Sequence, residues 1–281
     1  SHEVLDESVA TFFQPDDAGN FLKKLEEMRG RAWSAERMKE KVKPYSWAER
    51  GKRIMECLRG GALPCAPTSK KGVFIVTQAV DEADTNLSFF LHWLTELATR
   101  VSVVHVAAWK VGTHALPSNV IVHKMPHGKL RRMFALSRLS ISVRKDVSVV
   151  FVHMLAPVAA VLGWYWRLFG LRVVLWYTHG AVPMSLRVAN AQVNAICTAT
   201  DESLRLRTIK KIVTGHGIDT EYFRPSEEPR LPEMITVGRN SPRKHLESLL
   251  NLAEVIRSTH PTLPFRLRII GEAYLDSDRA Y

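Results

Sequence analysis

A chain of 281 residues is long enough for two α/β domains, or for one domain with appendages. Its formal charge of +11 favours anionic partners, whether nucleotide, phospholipid or nucleic acid, over cationic ones. Cys57, Cys65 and Cys197 are odd in number and lack metal spacing, which argues against a disulfide framework and suits a reducing cytoplasm.

No signal peptide opens the chain, and a start at Ser1 rather than Met is what a fragment would show. The first 58 residues read as helices. Asp16 and Asp17 start one, Ser34 starts another, and Ser46 with Glu49 forms a capping box ahead of Ile54, Met55 and Leu58. Residues 59–71 carry the Gly, Pro and Ser of a linker. From 72 the texture changes. Strand-like runs at 73–77, 101–107, 119–123, 147–152, 172–176, 193–198 and 210–213 alternate with helix-like runs at 86–99, 128–145, 155–169 and 184–191. That alternation predicts a parallel sheet wrapped by helices.

Residues 147–166 are apolar enough to resemble a membrane span, but His153 and Pro157 interrupt them, and a spanning helix needs roughly 20 continuous apolar residues. They read better as a buried strand followed by a packed helix. Residues 220–232, with Pro225, Pro229 and Pro232, form a second linker. A new strand–helix–strand unit begins at Met234 and reaches Gly271. One such unit cannot bury both faces of its sheet, so a second domain starts here without being completed.

Residues 235–244 carry the clearest chemistry. A buried strand stops at Gly238 and Arg239 follows. Ser241 stands as an N-cap, Pro242 as the first helical residue and Lys244 in the first turn. Helix-start amides and two cations facing a strand end suit a diphosphate. Arg offers a bidentate grip on phosphate oxygens and Lys a point charge. The alternative is a pair of surface cations on an ordinary helix.

Residues 213–225, Val-Thr-Gly-His-Gly-Ile-Asp-Thr-Glu-Tyr-Phe-Arg-Pro, resemble the inter-domain segment of family-four glycosyltransferases, usually Asn-Gly-Val-Asp followed by Phe-x-Pro. Ile235-Thr-Val-Gly238-Arg239, then Lys244 and a long helix, resembles their donor-site opening, and Phe265–Gly271 their next strand. Val76-Thr-Gln-Ala-Val-Asp81, Phe89-Phe-Leu-His-Trp93, Phe151-Val-His-Met154 and Trp176-Tyr-Thr-His179 resemble a bacterial branch of the family. The resemblance runs from about 72 to 271. It implies an α/β chain of GT-B type: a Rossmann-like parallel-sheet acceptor domain over 72–224 and the beginning of a Rossmann-like nucleotide-sugar-binding domain over 225–281. It also implies a retaining transfer from a nucleoside-diphosphate sugar to a saccharide or lipid-linked acceptor, with no metal and no cofactor. A sugar-nucleotide epimerase of the same architecture and a non-catalytic membrane-associated half-protein are the alternatives.

The opening residues resemble the same family's other end. Glu3-Val-Leu-Asp, then Ala10–Asp17, and the stretch down to Tyr45-Ser-Trp47 with its helix look like the closing helices, placed here before the first domain. A fragment of a tandem transferase, a circular permutation or a gene-assembly artefact would each produce that order. The family's Glu-x7-Glu donor pair is missing: no Glu has a partner eight positions on. The expectation is that these 281 residues hold half a donor site and show no transfer.

Three histidines complete the candidates. His179 ends a strand at the carboxyl edge where α/β ligands bind. It reads either as a structural histidine bonded to a loop carbonyl or as the catalytic contact to the donor sugar or reacting hydroxyl. His153 ends another strand ahead of an apolar helix. His216 sits between Gly215 and Gly217 in the inter-domain turn and faces the expected cleft, whereas Asp219 reads as a cap or turn residue. The segment 128–145 places Lys129, Arg131, Arg132, Arg138 and Arg144 among Leu130, Met133, Phe134, Leu136 and Ile141. That is either a solvated face over a core stripe or a helix that docks on an anionic membrane, which would make the protein peripheral at the inner face of the plasma membrane. No recognition motif for nucleic acid accompanies the charge.

Overall fold

The computed structural model describes residues 34–59, 72–223, 233–238, 240–259, 261–262 and 266–271, together with Lys23, Lys24 and Glu27. Val42–Phe223 form one compact unit, and the described residues on either side of it fall in a second.

Seven strands build the first unit: β1 (Gly72–Val80), β2 (Val104–Val111), β3 (Val120–Lys124), β4 (Val147–His153), β5 (Arg172–Trp176), β6 (Ala195–Thr198) and β7 (Lys211–Val213). All pair in parallel, in the order β3-β2-β1-β4-β5-β6-β7. Buried on both faces, β1, β4 and β5 read as near-continuous Val, Ile and Phe runs, as such strands must. β2 starts three residues later than the expected run, at Val104, and continues four residues past it, to Val111. Its Lys110 is accommodated because Asp81 and Asp84, in the loop after β1, take the ammonium at 2.8 and 3.4 Å.

Helices cover both faces. Helix α1 (Ala35–Val42) precedes the unit, and α2 (Trp47–Arg59) and α3 (Phe90–Ala98) lie over one face of the sheet. Helices α4 (Lys129–Val143), α5 (Ala156–Leu168) and α6 (Met184–Gln192) lie over the other. Ser34 caps α1, accepting the Arg37 amide at its hydroxyl. At α2 only half of the expected capping box forms. Ser46 Oγ accepts the Glu49 amide at 3.4 Å, but the Glu49 carboxylate turns outward to Lys52 at 2.6 Å.

The expected division near residue 58 does not coincide with the compact unit, which opens at Val42. The cause is the apolar stripe of α2. Ile54, Met55, Cys57 and Leu58 are all buried in the same core as Phe90, Trp93, Val149 and Trp176. Each such side chain contributes about 1.5–3 kcal/mol on burial. Arg50 adds polar anchors, donating from Nη1 to the Thr214 carbonyl at 2.7 Å and lying over the Tyr45 ring. Gly215 makes room for it: at φ 75° a Cβ there would strike the guanidinium. Cys57 on α2 and Cys197 on β6 form a disulfide across 140 residues. This corrects the expectation that no disulfide forms, since spacing along the chain gives no sign that α2 crosses β6. The linker 60–71 and the expected helix at Asp16 and Asp17 lie outside the described residues.

Edge strand β7 is short. Lys210 donates to the carbonyls of Asn190 and Val193, and Lys211 to those of Asp201 and Leu204. The apparent membrane span resolves into β4 and α5. Among the described residues no helix is long and apolar enough to cross a membrane.

In the second unit β8 (Glu233–Val237) and β9 (Arg266–Ile270) pair in parallel, connected through α7 (Leu246–Thr259). Arg268 on β9 bonds Glu233 on β8 across the pair at 2.9 Å.

Candidate functional site

The strand order reverses direction between β1 and β4, so the crevice at their carboxyl ends is where an open α/β sheet binds ligands. His153, the last residue of β4, stands there. Thr77 of β1 meets its Nδ1 at 3.1 Å. The imidazole stacks on Phe90 with centroids 4.1 Å apart and meets Phe89 and Trp93 at steeper angles. Burial, reinforced by His216, pushes its pKa down to about 3. His153 is therefore neutral throughout the physiological range. Its Nε2 is buried with no hydrogen-bond partner among the described residues.

His216 enters the same cluster from the turn after β7. Its ring is edge-on to Trp176 at 5.4 Å and to Phe89 at 6.0 Å. Burial and the nearby Arg50 cation both lower its pKa. His179 stands apart, on the exposed loop after β5, where its ring contact is with Tyr177. Its Nδ1 accepts the Ala181 amide at 3.0 Å. In the neutral ring that assigns the proton to Nε2, leaving a donor free to face a ligand rather than a base. Asp219 accepts the amides of Glu221 and Tyr222, the work of a turn residue.

At the end of β8 the lysine side chain turns back over the strand–Gly corner. A Cβ on Gly238 would lie 3.6 Å from Lys244 Cε. Asn240 donates to the Gly271 carbonyl at 3.3 Å, tying this loop to the end of β9. Ser241 has the extended backbone of an N-cap but makes no side-chain cap bond, and it is buried. The expected continuous helix from Pro242 is broken. Pro242–Lys244 form one 3-10 turn, His245 adopts φ 48° in the left-handed region, and α7 starts at Leu246. The Lys244 amide is already used by the Ser241 carbonyl at 2.9 Å, so its N–H is not available to a further acceptor. Arg239 lies outside the described residues.

A cavity of about 630 Å³ opens beside the histidine cluster, within the size range of small-molecule sites. Trp47, Glu82, Phe89, His92, Tyr222 and Phe223 are among the residues that line it. Trp47 stacks on His92 with centroids 5.8 Å apart. Sequence reasoning missed this wall because its residues come from α2, α3 and the turn after β7. Its aromatic residues and His92 each lie in one of the family-like stretches, Trp47 in the first, Phe89 and His92 in the second, and Tyr222 and Phe223 in the turn after β7, but nothing local brings the three together. Among the described residues no group of three or more His, Cys, Asp or Glu side chains could hold a metal ion.

No protein-family model matches the chain, and no curated protein matches it in sequence. Solved structures resemble it in three dimensions. HepE from Anabaena, solved with UDP, is 12% identical with a TM-score of 0.55, covering 75% of this chain and 63% of that one. MurG from Acinetobacter baumannii is 12% identical over 75% of this chain and 70% of that one, with a TM-score of 0.41. The UDP-GlcNAc 2-epimerase of Neisseria meningitidis, bound to UDP-GlcNAc, is 12% identical over 74% and 67%, with a TM-score of 0.37. At these identities only the HepE likeness carries weight, and it bears on architecture rather than chemistry. This chain spans 63% of the length of HepE, and its fold is α/β of GT-B type.

Proposed function

We propose that the chain is part of a retaining glycosyltransferase of family-four type that uses a nucleoside-diphosphate sugar. The carrying observation is the Lys244 side chain folded over Gly238 at the carboxyl end of β8. The UDP in HepE is consistent with such a donor. Gly238, Ser241 and Lys244, with Arg239 as the next residue of the chain after Gly238, would hold the diphosphate. The sugar's anomeric C–O bond to phosphate breaks and a bond to the acceptor oxygen forms. The acceptor hydroxyl's proton passes to the departing phosphate oxygen, which lies on the same face of the sugar and so retains configuration. Lys244 stabilises the charge that develops on the leaving group. His179, donating from Nε2, would orient the donor sugar or the reacting hydroxyl. No metal or cofactor is assigned.

The acceptor in this reading is a saccharide or a lipid-linked saccharide, with an anionic membrane surface as partner of the basic helix α4. A sugar-nucleotide epimerase would leave the acceptor unglycosylated, so product analysis with and without acceptor separates the two in a longer protein that carries a complete second domain.

The 281-residue chain itself provides the first test. It is expected to bind UDP weakly, seen as chemical-shift changes of the nucleotide's phosphorus signals. Removing one charge-assisted contact costs about 1.5–3 kcal/mol, so Lys244→Ala should weaken binding at least about tenfold. Equal binding by parent and variant would show that the diphosphate does not sit at Gly238.

A further inference from the structure

Helices α4, α5 and α6 bury their inner sides in one core cluster, through Leu136 and Val143, Ala159 and Trp166, and Leu186 and Ala189. They form one layer. Tyr165 on α5 bonds the Ser137 carbonyl on α4, and Trp166 donates to Ser140 Oγ. Gly163 lets α5 approach α6 so closely that a Cβ there would meet Gln192 Cβ at 2.6 Å. Their outer sides therefore share one face of the unit.

That face has an unusual composition. Leu130 (87% exposed), Phe134 and Ile141 form a stripe along α4. Val161, Trp164 and Leu168 (73%) form one along α5, and Met184 (73%) and Val188 one along α6. Large apolar side chains grouped in this way mark an interaction surface. Exposed Arg131, Arg138, Arg167 and Arg187 stand among them. None of the three helices contains an Asp or Glu. From Lys124 to Thr200 the chain has ten Lys and Arg against a single acidic residue, Asp146.

We infer that the outer face of the α4–α5–α6 layer is a docking surface for an anionic phospholipid bilayer, touched by three helices rather than by α4 alone. The inference rests on the membrane-partner reading for α4 and extends it to Trp164, Leu168, Met184 and Arg187, which that reading does not use. The physical case has two halves. The cations need an anionic partner, which excludes a second copy of the same face, since like charges would meet. The apolar stripes need somewhere to be buried, which a nucleic-acid backbone does not offer and the boundary between headgroups and acyl chains does. At 13 residues α5 is too short to span, so the contact is with the surface.

The test is co-sedimentation of the 281-residue chain with vesicles of phosphatidylglycerol and phosphatidylcholine, and with phosphatidylcholine alone. Binding is expected only to the anionic vesicles. Reversing Arg131 and Arg138 to Glu should weaken it roughly thirtyfold or more, from about fivefold per cation. Leu168→Ser should weaken it roughly tenfold. Brominated lipid should quench the parent's tryptophan emission, and Trp164→Phe, which retains the fold, should lose most of that quenching. If the arginine reversals abolish binding while Leu168→Ser and Trp164→Phe change nothing, α4 docks alone and the three-helix inference is overturned. Absence of binding by the parent overturns both membrane readings. Equal binding to neutral vesicles overturns the charge argument. Nucleotide binding, read separately, is unaffected by any of these outcomes.

Discussion

Acidification is expected to cost the Val42–Phe223 unit roughly 4–5 kcal/mol through His153 alone, taking 1.36 kcal/mol per unit over the interval from 6.5 to about 3. The sign follows from which state binds the proton. In the unfolded chain the imidazole protonates near pH 6.5, whereas in the native state the ring, stacked on Phe90 and shielded by Trp93, stays neutral to about pH 3. Its contribution is therefore fully present above pH 6.5 and lost as the pH falls through that window. His216, depressed in the same direction, adds to the loss. Against a net stability of about 5–15 kcal/mol for a domain, this term alone brings acid unfolding within reach. Carboxylates titrate over part of the same range, so the measurement is a comparison. Urea midpoints from pH 7 to pH 3.5 should fall more steeply in the parent than in His153→Gln, which keeps an amide for Thr77 but cannot titrate. Parallel profiles would mean that water reaches the ring.

The second large effect concerns α2. If the helix ahead of the linker were an appendage, trimming it would leave the sheet unit's stability unchanged. The core packing says otherwise. Leu58 is 1% exposed, so Leu58→Ala should lower stability by about 2–5 kcal/mol, removing a buried side chain and leaving a cavity. Lys52→Ala on the exposed side of the same helix should stay within about 0.5 kcal/mol, since its ion pair with Glu49 is solvent-exposed. Urea unfolding monitored by tryptophan fluorescence reads both. A neutral Leu58→Ala would detach α2 from the fold described above.

The sheet was legible in the sequence because a parallel sheet buried on both faces writes itself as β-branched runs separated by amphipathic helices. Strands β1 to β7 lie on the expected runs, whereas β8, expected to be buried, leaves Ile235 and Val237 exposed. What the sequence withheld depends on contacts between distant segments. Nothing local in Trp47–Leu58 says which sheet face the stripe will cover, and the Cys57–Cys197 pairing follows from that docking. The break at His245 was hidden because Ser241-Pro242 is a sound helix start; the left-handed residue three positions on carries no Gly or Asn to announce it. The sequence marks His153 by its place at a strand end and His216 by its place between Gly215 and Gly217 in the inter-domain turn. Their joint enclosure by Phe89 and Trp93 needed coordinates.

The brevity of β7 bears on how the protein behaves at high concentration. An open sheet edge offers unpaired amides and carbonyls on which another chain can add a strand. Here that edge is only three residues long, Lys211–Val213, and two adjacent lysines are fastened to neighbouring carbonyls. An incoming strand would find one or two ladder bonds before the chain turns away toward Thr214. It would also have to lie against a fixed ammonium. Although Ile212 and Val213 are partly exposed, the β7 side of the sheet is thereby a poor template for fibrillar growth.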